Sequence, residues 1–262
     1  LKTQEEAQKA YDACQGNFVV SNIKSTTRKR EARPPFITST LQQEASTKLS
    51  FSAKRTMSIA QRLYEGVDVG NGQEGLITYM RTDSTRLSDV YVNGARELIQ
   101  NEYGKQYLGT YHVSNDSNSQ DAHEAIRPTS LANTPEKLKA YLTSEQYKLY
   151  ALIYARALSS LMSAAKYDSL TLTLSQNGYD FTASGSTMKF DGYLKVYGEY
   201  ESGKDVVLPS FDEQEQIVAK ELKANQHFTE PPARYTEAKL IKALEEDGIG
   251  RPSTYAMIID TI

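Results

Sequence analysis

Three short polar segments of this 262-residue chain carry side chains able to do chemistry. The first is Gly75-Leu76-Ile77-Thr78-Tyr79-Met80-Arg81-Thr82-Asp83-Ser84-Thr85-Arg86. If it is extended, a period of two turns Tyr79, Arg81 and Asp83 to one face and Thr78, Met80 and Thr82 to the other. A phenol with an ordinary pKa of about 10 becomes a nucleophile only beside a proton acceptor or a positive field, with its electrophile already held in place. Arg81 supplies such a field. Its planar fork can donate two hydrogen bonds to a phosphate and favours the extra negative charge of five-coordinate phosphorus. Asp83 either orients Arg81 or begins the following turn. Taken alone, a tyrosine in an extended segment is more often a packing residue.

The second segment is Ser119-Gln120-Asp121-Ala122-His123-Glu124-Ala125-Ile126-Arg127-Pro128-Thr129. It joins an imidazole, a carboxylate and a guanidinium, and lacks the second histidine of a His-Glu-x-x-His metalloprotease site. Pro128 pushes Arg127 out of helical geometry, which predicts a loop able to aim side chains into a cleft. Within such a loop His123 is either a phosphate donor or proton carrier, or an exposed histidine beside a capping glutamate. The third segment, Gly248-Ile249-Gly250-Arg251-Pro252-Ser253-Thr254-Tyr255, follows a predicted helix over Thr236 to Glu246 and opens another. Pro252 suits a first helical turn, so the unpaired amides there, with Arg251, Ser253 and Thr254, form an anion-receptive end. A tight connection with no ligand has the same punctuation.

The elements that position these segments are legible as patterns. Thr3 to Cys14 reads as a short helix, followed by an extended Phe18-Val19-Val20 and the basic stretch Arg28 to Arg33, closed by Pro34-Pro35 and read as an exposed charged hairpin in preference to a phosphate-facing surface. Thr40-Leu41-Gln42-Gln43 and Thr143-Ser144-Glu145-Gln146 fit the capping-box pattern at helix starts. In a helix over Ala53 to Glu65, Ala53, Met57, Ala60 and Tyr64 gather on the core side and Lys54, Arg55 and Arg62 on the other. No acid occurs from Ala45 to Leu63, so that basic face is either an ordinary solvated face or a phosphate-facing surface. Leu149, Ile153, Tyr154, Ala157, Leu158 and Leu161 make a further apolar stripe. Leu170, Leu172 and Leu174 alternate with Ser169, Thr171 and Thr173, and Asn177-Gly178 then predicts a β-hairpin. Strand-rich first and last regions flanking a helical middle make an α+β chain of several domains.

Composition narrows the function classes. The longest apolar runs fall short of the roughly 20 residues of a membrane helix. Cys14 is the single cysteine, which excludes an internal disulfide and a cysteine-based zinc site and points to a reducing cytosol. A net charge of −3 makes any nucleic-acid contact a matter of local patches. The chain starts at Leu1 and stops within a predicted helix around Tyr255, Ile258, Ile259 and Ile262, as an excised piece does.

Five stretches in order, Pro35 to Ala45, Thr56 to Gly66, Gly75 to Ser84, Ala122 to Pro128 and Phe228 to Ala256, resemble successive motifs of bacterial type IA DNA topoisomerase I. The resemblance covers essentially the whole chain and implies an organisation. Residues 1–39 are the first part of a strand-rich hinge or arch domain and 40–165 the helical catalytic-tyrosine domain inserted in it. Residues 166–228 are its second part, and 229–262 start a DNA-strand-binding domain, the whole being part of a toroid. The resemblance implies that Tyr79 attacks a single-stranded DNA phosphodiester to form a 5′-phosphotyrosyl link, that Arg81 and His123 assist, and that Arg127, Arg251, Ser253 and Thr254 contact DNA. It implies strand passage and religation without ATP, relaxation of negative supercoils, and a place on the bacterial nucleoid with no membrane partner. The family's magnesium lies in a Toprim domain whose acidic motifs are not found in this sequence, nor are cysteine-rich zinc ribbons, so no metal site is expected here and the piece alone is expected not to complete the reaction. Two other readings remain: a noncatalytic DNA-binding module, and a tyrosine recombinase or type IB-like enzyme, whose His-x-x-Arg has one residue fewer than His123 to Arg127.

Overall fold

The computed structural model describes residues 1–14, 16–70, 72–111, 123–201 and 206–262. Residues Ser119 to Ala122 of the second polar segment therefore lie outside the described residues. In chain order the elements are α1 (Gln4–Ala13), β1 (Asn17–Arg30), α2 (Thr38–Leu49), α3 (Ala53–Glu65), β2 (Val67–Asp68), β3 (Gln73–Glu74), α4 (Asp89–Glu102) and α5 (Pro135–Leu138). There follow α6 (Ser144–Ser159), β4 (Ala165–Gln176), β5 (Tyr179–Phe190), α7 (Leu194–Tyr197), β6 (Gln216–Val218), α8 (Glu237–Glu246) and α9 (Tyr255–Thr261). The architecture is mixed α+β, in two compact units: Leu1–Arg30 with Ala165–Asp191 and Gly203–Ala233, and Glu31–Ala164 with Gly192–Ser202 and Arg234–Ile262.

The first unit is an antiparallel sheet of order β5-β4-β1-β6. Asn177 and Gly178 both take positive φ, 49° and 82°, the conformation that a two-residue hairpin turn matched to strand twist requires. Phe18 and Val20 enter the core, and Phe18 meets Phe181 edge to face at 5.2 Å. A bulge falls between Val20 and Asn22, where Ser21 Oγ lies 2.6 Å from Ser175 Oγ. The basic stretch is not the hairpin expected: β1 runs on to Arg30, pairing Arg28 with Tyr167 and Lys29 with Lys166. Ladder hydrogen bonds to β4 make this strand longer than its side chains alone suggest.

The second unit is built on α6, whose Leu149, Leu152, Ile153 and Ala157 are fully buried. Its capping box forms as read, Thr143 Oγ1 accepting the Gln146 N–H at 3.3 Å and Gln146 Oε1 that of Thr143 at 2.9 Å. The other box is displaced. The second helix starts at Thr38, so Thr40 occupies its third position, where its Oγ1 accepts the Ile37 N–H at 3.1 Å. A bulky N-cap residue with no capping side chain hid that start from pattern reading.

A buried charged cluster ties α2, α6 and α7 to the Arg33–Phe36 run. Arg156 donates to Glu44 Oε1 at 2.8 Å, to the Pro34 carbonyl at 2.6 Å and to the Tyr197 hydroxyl at 3.1 Å. The Tyr197 hydroxyl in turn donates to Glu44, and Arg33 bonds Glu44 Oε1 at 2.5 Å. The Arg156 guanidinium also lies 4.6 Å from the Phe36 ring centroid. Burial alone would raise the Glu44 carboxyl pKa; Arg156, the Tyr197 hydrogen bond and Arg33 outweigh it and hold the group below the usual carboxylate value.

Candidate functional site

The Tyr79 segment is an irregular strip whose backbone is satisfied from three sides rather than a ladder strand. At its entry Leu76 N–H donates to Leu63 O at the end of α3, 2.7 Å. In the middle, Thr78 N–H donates to Arg127 O at 2.9 Å and Thr78 Oγ1 to Ala125 O at 2.7 Å. At its exit the buried Thr38 of α2 donates from Oγ1 to Met80 O at 2.7 Å and accepts the Thr82 N–H at 2.9 Å. With the backbone so fixed, Met80, Thr82 and Ser84 are buried while Arg81 and Asp83 are exposed and Tyr79 is part-exposed. The two-residue alternation expected for an extended segment therefore holds without a strand ladder.

His123 reaches Tyr79 through the second strip. An isolated bridge pairs Phe36 with Ile126, another pairs Ile77 with Pro128, and Ala125 N–H donates to Arg86 O at 2.8 Å. These pairings lay the His123–Pro128 strip beside the Tyr79 strip. The His123 ring is exposed, with its centroid 5.3 Å from that of Tyr79 and the planes 31° apart. A further ring, Tyr64 at the end of α3, stands 5.3 Å from Tyr79 at 66°. Reading α3 by its period placed Tyr64 inward; the buried face is instead Ala53, Thr56, Ile59, Ala60 and Leu63, and Tyr64 is 41% exposed. Arg81 is exposed, and among the described residues no partner holds its guanidinium. A phenol, an imidazole and a free guanidinium thus occur on two adjacent strips.

Arg127 is placed differently. It donates from Nε to Glu124 at 2.8 Å, from a terminal nitrogen to Ser88 Oγ at 3.2 Å and to Pro128 O at 3.0 Å, and stacks 4.9 Å over Tyr91. Most of its fork is spent on pinning its own strip to the start of α4. In the third segment, Arg251 donates to Gly250 O at 2.7 Å, and Thr254 Oγ1 accepts the Arg251 N–H at 2.8 Å. Ser253 is exposed in the turn before α9. Burial and the Glu245 carboxylate, opposed by Arg251 and reinforced by Asp83, raise the pKa of Tyr255 at the start of α9. On the basic face of α3, Lys54 pairs with Asp260 at 2.8 Å and Arg55 with Glu145, while Arg62 has no partner among the described residues.

No described helix is long and apolar enough to cross a membrane. Among the described residues there is no group of three or more His, Cys, Asp or Glu side chains that could hold a metal ion.

Two comparisons bear on this arrangement. A family model for DNA topoisomerase matches residues 1–262. The fold matches that of full-length topoisomerase I from Thermotoga maritima with a TM-score of 0.84 and 39% sequence identity, over 99% of this chain and 42% of that one. The chain belongs to the bacterial type IA DNA topoisomerase family. It spans less than half the length of that neighbour.

Proposed function

We propose that this chain carries the strand-cleaving tyrosine of a type IA DNA topoisomerase, with Tyr79 as the nucleophile. The observation that carries the reading is the part-exposed Tyr79 ring in contact with the exposed His123, on a strip whose next outward residue is Arg81, exposed and without a partner among the described residues. The Tyr79 oxygen attacks a backbone phosphorus of single-stranded DNA, the new O–P bond replaces the bond from phosphorus to the 3′ oxygen, and the phenolic proton is made good on that oxygen as a 3′-hydroxyl. Arg81 donates to the non-bridging oxygens as charge builds on them, and His123 carries the proton. One ester replaces another, so the reverse attack reseals the strand without ATP, and passage of a second strand through the break changes supercoiling. Arg127 acts through Glu124 and Ser88 to hold the His123 strip, while Arg251, Ser253 and Thr254 line the third segment as backbone contacts. Magnesium, which the family resemblance calls for, would be held by a Toprim domain outside this chain.

The test uses the intact protein. Tyr79→Phe is expected to abolish relaxation of negatively supercoiled DNA with binding of single strands retained; undiminished relaxation would overturn the assignment. The polarity of the trapped link separates the type IB-like alternative, which leaves a 3′-phosphotyrosine. A noncatalytic module binds strands in a salt-sensitive way and traps no link at all.

A further inference from the structure

Tyr64 is an aromatic residue that the pattern of its own helix assigns to the core and the fold turns out. Its position is built rather than loose. Leu76 N–H closes on Leu63 O at 2.7 Å, and a Cβ at Gly75 would lie 2.7 Å from the Tyr64 carbonyl, so that residue must be a glycine for the two segments to approach this closely. The close approach sets the Tyr64 ring 5.3 Å from the Tyr79 ring, edge to face, while leaving 41% of the residue exposed. No described residue hydrogen-bonds its hydroxyl. An exposed, rigidly seated aromatic face next to a nucleophile is more than packing needs, because packing is served by the buried Ile59, Ala60 and Leu63 of the same helix.

Resting on the reading of Tyr79 above, we propose that Tyr64 is the stacking platform for the unpaired base that flanks the scissile phosphate, which makes it a positioning residue for the cleaved strand. A single strand presents unstacked base faces, and aromatic side chains recognise them with little regard to sequence. A phosphate brought to Tyr79 carries its neighbouring base to within a ring's reach of Tyr64. Stacking there would fix the strand's register relative to the phenolic oxygen, whereas Arg81 and the helix turns hold only backbone charge.

The experiment uses the intact protein carrying Tyr79→Phe, so that binding is read apart from cleavage, and single-stranded oligonucleotides with 2-aminopurine at successive positions around a cleavage site mapped with the unaltered protein. Binding is expected to change the fluorescence of a probe flanking the scissile phosphate. Tyr64→Leu should remove that change and weaken binding on the order of 5- to 100-fold, while Tyr64→Phe keeps both. Tyr64→Trp, which enlarges the face, should deepen the change and guards against a Leu variant that fails to fold. A flanking-probe signal indifferent to Leu and Trp, or a Phe variant as impaired as Leu, would overturn the proposal. Cleavage of the same oligonucleotides with Tyr79→Phe would instead overturn the assignment of the nucleophile, leaving the stacking result to stand on the fluorescence.

Discussion

Thr38 shows how one hydroxyl can set a site it does not enter. Its Oγ1 binds the backbone on both sides of Arg81, at Met80 O and at the Thr82 N–H, from a fully buried position. Thr38→Val keeps the shape and strips the hydroxyl, leaving buried backbone groups unpaired at a cost of about 1–3 kcal/mol. The expected outcome is a lower thermal midpoint and slower oligonucleotide cleavage in the intact protein, and an unchanged midpoint would show that the strip is held without it. Gly75→Ala acts from the other end of the strip: its Cβ, 2.7 Å from Tyr64 O, forces the end of α3 and the Tyr79 strip apart. Cleavage by that variant is expected to fall at least tenfold, and undiminished cleavage would show that the ring contact is not needed, at a position where sequence alone shows only one glycine among fifteen. The outward face of Tyr79, Arg81 and Asp83 was legible because alternation is local. Thr38 and Tyr64 were not, because their roles depend on hydrogen bonds and ring contacts between segments far apart in sequence.

At the scale of elements, α8 packs on the starts of α2 and α3 through two carboxylates. Glu245 accepts from the buried Ser39 Oγ at 2.5 Å, and Glu237 accepts the Ala53 N–H in the first turn of α3. Both sit where orphan amides and the helix dipole favour negative charge. Glu245→Ala leaves Ser39 unpaired in a closed site and is expected to cost about 1–3 kcal/mol in denaturant unfolding; a variant as stable as the parent would mean that the Glu245–Ser39 bond does not help to hold α8. The limits of sequence reading are clearest on these helices. The bounds of α3 follow from Ser52 and Gly66 at its ends, whereas its buried face is turned by one residue because α2, α6 and α9 together decide which stripe is covered. The start of α2 lies two residues before the capping motif, since tertiary bonds to Thr82 take over the cap's role. Strand β1 outruns its apolar stretch because β4 supplies partners for its exposed basic end.

Over the whole molecule, the abundance of tyrosine becomes a statement about pH. Burial, reinforced by Tyr103 and Glu136, pushes Tyr154 up to about 12, and burial likewise raises Tyr91, Tyr150 and Tyr197. An unfolded chain ionises its tyrosines near their ordinary value of 10.0 while the folded chain keeps these protonated. Their contribution is therefore complete below about pH 10 and is lost as pH rises through the folded values. The expected outcome is cooperative alkaline unfolding in which a subset of tyrosinate absorbance appears only with loss of circular dichroism. Glu44 works in the opposite direction. Its depressed pKa gives stability that is present above the ordinary value of 4.5 and lost as pH falls through the lower folded value. Arg156→Met leaves Glu44 with only Arg33 and the Tyr197 hydroxyl, and should lower stability by roughly 1–3 kcal/mol and move acid unfolding to higher pH; an unmoved acid transition would show that Arg156 carries no such linkage.

The proposed function turns on a bond between the Tyr79 oxygen and DNA phosphorus. The most direct measurement is to denature the intact protein during turnover on a single-stranded oligonucleotide, digest both, and sequence the nucleotide-bearing peptide by mass spectrometry. A phosphate on Tyr79 joined to the 5′ carbon of the downstream nucleotide, with a free 3′-hydroxyl on the upstream piece, is the predicted result. An adduct on any other residue, or a 3′ link at Tyr79, contradicts it.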